Sequence, residues 1–451
     1  MGDERLELFA KSPQYISDHA HSEHLVQIPP LPECEVCVIV PVRNEAETLA
    51  ATLAALAHQI DLAGKPLVST SYEVILLANN CSDDSAAIAR RFAQQHEIVL
   101  HVVEKTLPSS EAYIGRVRQI LMDEAYRRLD LLGRKKGMIA STDGDSEVAP
   151  TWIAANLYEI AAGADAVGGR IITNKSDRAC LDPYARACHL REVGYCYLIA
   201  ELEAYLDPNS DDPFPRHYQH YGASLAVTAQ IYKQAGGLPP VRTPEDVAFY
   251  QALLRVNARF RHSPLVRVVT SARQTGRAEL GLSNQLSQWA VMGQQQQAFL
   301  VESAEAVVTR MRSRYQLRSI WSSILKDYAG DRQNIELLAQ TLGVQTAWLA
   351  QELTQPHTFG LLFERIEQRQ QHEGIWLQRW SLVDIRQAIW DLRLSLESLR
   401  RGQKCDRAFQ HNLAQLLDSS TPKLASLDVK LAQTDRADIV PLVDLVNAVV
   451  G

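Results

Sequence analysis

Between residues 34 and 280 the chain alternates short β-branched runs with amphipathic segments, and this alternation limits its fold more than any other feature. "EVCVIVPV" is a continuous apolar run of strand length. In the following "NEAETLAATLAALAHQI", Leu49, Leu53 and Leu56 recur at helical spacing. Asn44 is the expected cap of that helix, with Glu45 and Glu47 in its first turn. "YEVILLANN", "IVLHVVEK", "GMIAST" and "ADAVGGRI" read as further strands. Helical stretches such as "SDDSAAIARRFAQQH", "GRVRQILMDEAYRRLDLL" and "APTWIAANLYEIAAG" separate them. Such an order predicts an α/β fold with a largely parallel sheet and helices on both faces. Sheets of this kind bind ligands beyond the carboxyl ends of their strands.

Three polar loops begin at such ends, "PVRNE", "ANNCSDD" and "TDGDS". The third is the most informative. The apolar run Met138, Ile139, Ala140 stops at Asp143 and Asp145, with Gly144 between them. Asp and Gly are turn formers, because Asp bonds its own backbone and Gly tolerates φ > 0. Paired carboxylates are also hard oxygen ligands, suited to Mg²⁺ or Mn²⁺ carrying a substrate's phosphates. These residues alone leave both readings open.

Composition narrows the function classes. A chain of 451 residues has room for two or three domains, and at 46% hydrophobic residues it can build a sizeable core. A formal net charge of −7 argues against a nucleic-acid binder that works by bulk electrostatics, so any phosphate site must be local. Seven scattered cysteines do not form a disulfide framework, and a reducing cytosol is the expected compartment. Cys34 and Cys37 form a C-x-x-C, but inside a strand-like run they read as buried structural thiols. No apolar stretch approaches the roughly 20 residues of a membrane span, and the N-terminus lacks an apolar signal core. The expected location is cytoplasmic, at most membrane-peripheral.

The expected organisation is an N-terminal extension at 1–33, an α/β domain at 34–280 and a helical domain at 281–451. The last part includes the long amphipathic "SLVDIRQAIWDLRLSLESLRR". "LAQTLGVQTAWLAQEL" has the outline of a helix-turn-helix, but without a basic recognition face it reads as packed core helices. The apolar tail "ADIVPLVDLVNAVVG" reads as packing on its own domain, with docking on a membrane or another subunit as the alternative.

In order and spacing, "VIVPVRNEAETL", "ANNCSDDS", "IGRVRQILMDEA", "STDGDS", "GASLAV", "AGGLP" and "PEDVAF" resemble the family 2 glycosyltransferases over residues 34–280. The resemblance implies the GT-A fold, a nucleotide-sugar-binding and mostly parallel sheet flanked by helices. Here an all-helical C-terminal region follows it. It also implies inverting transfer of a hexose from a UDP- or GDP-linked donor to a hydroxyl acceptor. By the same resemblance Pro41, Arg43 and Glu45 lie in the loop that cradles the nucleotide. Asn80 stands where the family has an aspartate for the base, "NNCS" replacing the acidic "DDGS". An amide both donates to and accepts from a base edge. Arg118 matches a position that approaches the diphosphate-sugar, and guanidinium suits phosphate oxygens. Arg116 lies two residues away and so on a different helical face. Asp145 matches the metal ligand and Asp143 a residue near the ribose or metal, with Mn²⁺ or Mg²⁺ bridging the phosphates.

"TPEDVAF" matches the catalytic acidic pair, with Asp246 as general base and Glu245 in binding or orientation. The same four residues, Thr243 to Asp246, make a good helix start. The histidine metal ligand that many relatives place after the pair has no counterpart in "RVVTSARQTGRAELG". His262 comes earlier and reads as structural. Arg273 and Arg277 are a candidate phosphate clamp, with Gly276 admitting close backbone approach. Tyr218 and His220, just before "GAS", are candidate acceptor-loop contacts.

Two other readings compete. A nucleotidyltransferase would want a glycine-rich loop after the first strand, and "PVRNEAETL" has no glycine. A non-catalytic GT-A-like scaffold would assemble through its helical C-terminal region, as a homo-oligomer or with a partner. Asn80 and the missing histidine favour the scaffold; Asp143, Asp145 and Asp246 favour the enzyme.

Overall fold

Val36–Val42 forms strand β1, and every residue in it is buried. Its side chains alternate between two cores. Cys37 and Ile39 enter one, with Val117, Leu121 and Ala125 of the helix Ile114–Leu131. Val36, Val38, Val40 and Val42 enter the other, with Leu49, Leu53 and Leu56 of the helix Leu49–Ala57 and with Trp152. A strand covered on both faces has no polar side, which is why it reads as an unbroken apolar run. The computed structural model describes residues 24–274, 276, 281–325, 332–355 and 358–404.

β2 (Tyr72–Asn79) and β3 (Leu100–Lys105) continue the sheet in parallel on one side of β1, and β4 (Met138–Ser141) does so on the other. With β5 (Ser146–Val148), β6 (Ala166–Thr173), β7 (Leu225–Thr228) and β8 (Phe260–Thr270) the strand order is β3-β2-β1-β4-β7-β6-β8-β5. β6 and β8 pair in parallel, while β7 and β5 run antiparallel to their neighbours. The expected mostly parallel sheet with helices on both faces is therefore present. β5 lay outside the sequence expectation, since three residues carry no periodic signal.

One local expectation differs. Asn44 does not cap the helix, which starts at Leu49. It takes a left-handed φ of 58°, a conformation Asn tolerates, and its Oδ1 accepts the Ser82 N–H at 2.7 Å.

A buried charge pair ties the helix Ile114–Leu131 to the sheet. Arg128 donates to both oxygens of Glu73 on β2, each at 2.6 Å. Cys37 Sγ lies 3.1 Å from Glu73 Oε1, and His101 Nε2 lies 3.0 Å from Oε2. Burial alone would raise the Glu73 pKa, but Arg128 and His101 outweigh it and hold the carboxyl at about 2. Cys34 and Cys37 are buried free thiols, and burial raises the Cys37 pKa.

The chain divides into two compact units. The first comprises residues through Leu181 together with Gln219–Ser287; the second comprises Asp182–Tyr218 and residues from Gln288 on. The second is helical. Asp182 caps its first helix, Pro183–Leu206, by accepting the N–H groups of Tyr184 and Ala185. Leu202 of that helix shares a core with Val307 and Met311, and with Ile389, Leu392 and Leu396 of the helix Ile385–Lys404. Arg314 pairs with Glu203 and Asp207. The helices Arg332–Leu342 and Thr346–Thr354 bury Leu338, Leu342 and Leu349 with Leu317, Leu362 and Ile366, as packed core helices. The tail "ADIVPLVDLVNAVVG" lies outside the described residues. Among the described residues no helix is long and apolar enough to cross a membrane.

Candidate active site

The loops after β1, β2 and β4 leave the same edge of the sheet, because these strands are parallel neighbours. The first two loops are locked together. Glu45 N–H donates to Ser85 Oγ at 2.8 Å, and Ala46 N–H donates to Asp83 Oδ2 at 3.0 Å. The loop after β4 rests on the helix Leu49–Ala57, whose Thr52 hydroxyl donates to the Gly144 carbonyl at 3.1 Å. A Cβ on Gly144 would fit tightly, 3.1 and 3.2 Å from Val42 and Glu45 side-chain atoms.

Pro41 is buried in β1, and Arg43 is exposed, donating to the Ala112 carbonyl at 3.3 Å. Asn80 has a φ of 49°, and its amide brackets the Leu107 peptide, giving Nδ2–H to the carbonyl at 3.0 Å and accepting the N–H at 2.9 Å. Two buried polar atoms at strand ends have no protein partner, Asn79 Oδ1 on β2 and Thr142 Oγ1 just past β4.

Asp143 and Asp145 sit in different surroundings. Asp143 is a third exposed and accepts from Arg118 Nη2 at 3.0 Å. Asp145 is mostly buried and lies 3.1 Å from Arg273 Nη2. Burial, with Asp143 and Glu45 nearby, pushes the Asp145 carboxyl up to about 6 against the pull of Arg273. This is a corner of excess negative charge that gains from a cation.

Arg118 is buried, and its guanidinium is taken up by protein. Nε donates to Glu245 Oε1 at 3.0 Å, and Nη1 donates to the Gly222 carbonyl at 3.1 Å and to Ser141 Oγ. Burial works against its charge, but Asp143, Glu245 and Asp246 outweigh that and raise its pKa. Arg116 instead pairs with Glu111 and Gln119. Glu245 and Asp246 open the helix Glu245–Arg255, as the capping pattern predicts. Glu245 is buried, which raises its pKa while Arg118 opposes the rise. Asp246 is half-buried, and its Oδ2 accepts the Gly222 N–H at 3.0 Å.

The remaining candidates are spread out. Arg273 grips Glu45, and Arg277 lies outside the described residues. His220 stacks on Tyr250 at 4.0 Å, and His262 lies 5.9 Å from the same ring and 4.7 Å from Phe260, in one aromatic cluster. Tyr218 belongs to the second unit, where its ring stands edge-on to Tyr197 at 5.4 Å. Ser141 and Gly222 were not singled out as site residues, although both stand in quoted motifs. Their contribution runs through one hydroxyl and one peptide, which residue type alone does not advertise.

Residues 37–187 match the family model described as glycosyl transferase family 2. This segment belongs to glycosyl transferase family 2. By family, the chain is a glycosyltransferase. The family segment contains Pro41, Arg43, Glu45, Asn80, Arg118, Asp143 and Asp145; Gly222, Glu245, Asp246 and Arg273 lie beyond it and join the site by geometry. Among solved structures, a mannosyltransferase from Pyrobaculum calidifontis, in complex with GDP-Man and Mn²⁺, shares 16% identity at a TM-score of 0.37, covering 80% of this chain and 91% of its own. S. aureus TarS 1-349 in complex with UDP shares 13% at a TM-score of 0.38, covering 82% and 92%. Glucosyl-3-phosphoglycerate synthase from Mycobacterium tuberculosis shares 14% at a TM-score of 0.32, covering 59% and 84%. No curated protein matches the chain.

Proposed function

We propose that this family 2 transferase is a metal-dependent inverting enzyme of the GT-A type, with its transfer machinery in the first of the two units, within the expected 34–280 span. It moves a hexose from a UDP- or GDP-linked sugar to a hydroxyl acceptor. The observation that carries the reading is the joining of Asp143, at the tip of β4, to the Glu245–Asp246 helix start through Arg118 and Gly222. A phosphate-facing carboxylate and a half-exposed base thus belong to one rigid frame.

The donor's nucleoside lies over the loops after β1 and β2, against Pro41, Arg43 and Asn80. Its diphosphate faces Asp145, Asp143 and Arg273. The donor set fits Mn²⁺ or Mg²⁺. Asp145 is a carboxylate oxygen ligand whose pKa is raised by burial and by the neighbouring Asp143 and Glu45, and Mn²⁺ and Mg²⁺ take few protein ligands beside phosphate oxygens. When bound, the ion offsets the charge that develops on the departing nucleoside diphosphate. Asp246 takes the proton of the acceptor hydroxyl as its oxygen attacks the anomeric carbon from the face opposite the leaving group. One displacement with one base inverts that centre. Glu245, buried on Arg118, orients the helix start. His220, in the first unit, is carried as the acceptor-loop candidate.

Calorimetry with UDP and GDP, with and without Mn²⁺, tests the donor site. Metal-dependent binding of one nucleotide, lost in Asp145→Ala, is the expected result. Equal binding in that variant would remove the metal assignment.

A further inference from the structure

We propose that Arg118 is a positioning residue for the transfer step, one that holds Glu245 and the base Asp246 in register with Asp143 and does not itself bind the diphosphate. The proposal rests on the transferase reading above and assigns Arg118 a role different from the one the family resemblance implies.

All three guanidinium nitrogens are engaged within the protein. Their acceptors come from three separated segments: Ser141 at the end of β4 with Asp143 just past it, Gly222 before β7, and Glu245 at a helix start. For a phosphate to take Nε or Nη1, Arg118 would have to give up buried Glu245, Ser141 or the Gly222 carbonyl, which is unfavourable; Nη2 is turned to Asp143. The reach to Asp246 runs through one residue. The Gly222 carbonyl accepts from Arg118 Nη1 at 3.1 Å and from Ser141 Oγ at 2.8 Å, while the Gly222 N–H donates to Asp246 Oδ2 at 3.0 Å. Position 222 must be glycine for this, because a Cβ would lie 2.4 Å from Arg118 Cζ.

A second close approach holds the same frame. A Cβ on Gly115 would lie 1.9 Å from the Val241 carbonyl oxygen and 3.1 Å from Glu245 Cβ. The arginine helix and the segment leading to the acidic pair are therefore in backbone contact. One cation thus pairs with two carboxylates and reaches a third through Gly222, and two glycines let it do so at close range. An arrangement of this kind fixes the direction of a base, and small errors in that direction slow a reaction severely.

The test separates binding from turnover in Arg118→Lys, which keeps the charge and loses the fork. UDP and GDP affinities with Mn²⁺ are measured by calorimetry, and hydrolysis of UDP-glucose and GDP-mannose, with water as acceptor, is measured at saturating donor. The expected result is nucleotide affinity within about threefold of wild type and turnover lower by about 100-fold. Adding Glu245→Gln to Arg118→Lys should cost little more, because both act through one bridge. A fall of about tenfold or more in nucleotide affinity with turnover preserved would make Arg118 a diphosphate ligand and overturn the proposal. Gly222→Ala covers the case in which Arg118→Lys does not fold. It displaces the guanidinium without removing it, and unchanged turnover there also overturns the proposal. A wild-type protein that neither binds nucleotide nor turns over donor removes the transferase reading, and this proposal with it. Bound nucleotide with normal turnover in every variant removes this proposal alone.

Discussion

Glu45 and Arg273 meet fork to fork, with Nη1 donating to Oε2 and Nη2 to Oε1 at 2.7 Å each, while Nη2 also lies 3.1 Å from Asp145. One guanidinium from the end of β8 thus neutralises an acid from the loop after β1 and an acid from the loop after β4. Arg273→Ala leaves both acids without their cation, and a loss of about 2 kcal/mol in unfolding free energy is expected. Glu45→Gln in that background should recover part of the loss, because it removes the stranded charge. Urea unfolding of the two single variants and the double checks this, and strictly additive losses would show that the pair does not couple.

Asp246→Asn is expected to keep the fold, since the amide oxygen still accepts the Gly222 N–H. Turnover at saturating donor should fall by about 1000-fold, within the range of a lost general base, with nucleotide affinity unchanged. Steady-state kinetics with calorimetry reads both quantities. Preserved turnover would exclude Asp246 as the base.

Asp145→Asn should remove the Mn²⁺-dependent part of nucleotide affinity and leave the metal-independent part. Chelation of wild type with EDTA should reproduce the variant, and titration of Mn²⁺ into the chelated protein should reverse the loss only in wild type. Reversal in Asp145→Asn as well would move the ion to other ligands.

Glu73 supplies the pH prediction. Burial, outweighed by Arg128 and His101, leaves its folded pKa at about 2, below the ordinary 4.5. A carboxyl with a depressed folded pKa adds stability above its unfolded pKa and loses it as pH falls through the folded value. Its contribution is therefore complete above about pH 5 and declines from there towards pH 2. At about 1.4 kcal/mol per pKa unit it amounts to a few kcal/mol. Glu73→Gln should flatten the acid limb of stability against pH and lower stability at pH 7 by about 3 kcal/mol, since Arg128 then lacks its carboxylate. An unchanged acid limb would assign acid sensitivity to other groups.

The strands at the sheet centre were legible because burial on both faces imposes continuous apolar runs, as in Val36–Val42 and Tyr72–Asn79. The family segment was legible because its loops carry short polar signatures at strand ends. β5 was not, since its three residues pair only with β8, much later in the chain. Asp143, Asp145, Glu245 and Asp246 were singled out by residue type. What each touches was not legible. Arg273 was singled out for phosphate, and its contacts with Glu45 and Asp145 were not foreseen. Asn80 was singled out for a base, and its hold on the Leu107 peptide was not foreseen. In both cases a long-range partner settles where the side chain points, and no local pattern encodes that partner.

The frame around Arg118 draws on residues from both ends of the first unit, and this orders its maturation on the ribosome. When synthesis has passed the β4 tip, the arginine can already meet Ser141 and Asp143, but Gly222 and Glu245 have not yet been made. Domains close as units once their last elements emerge. Until then the nascent chain carries a half-compensated guanidinium, and a fragment released early would lack the two acids of the helix start and the arginine that joins Glu45 to Asp145.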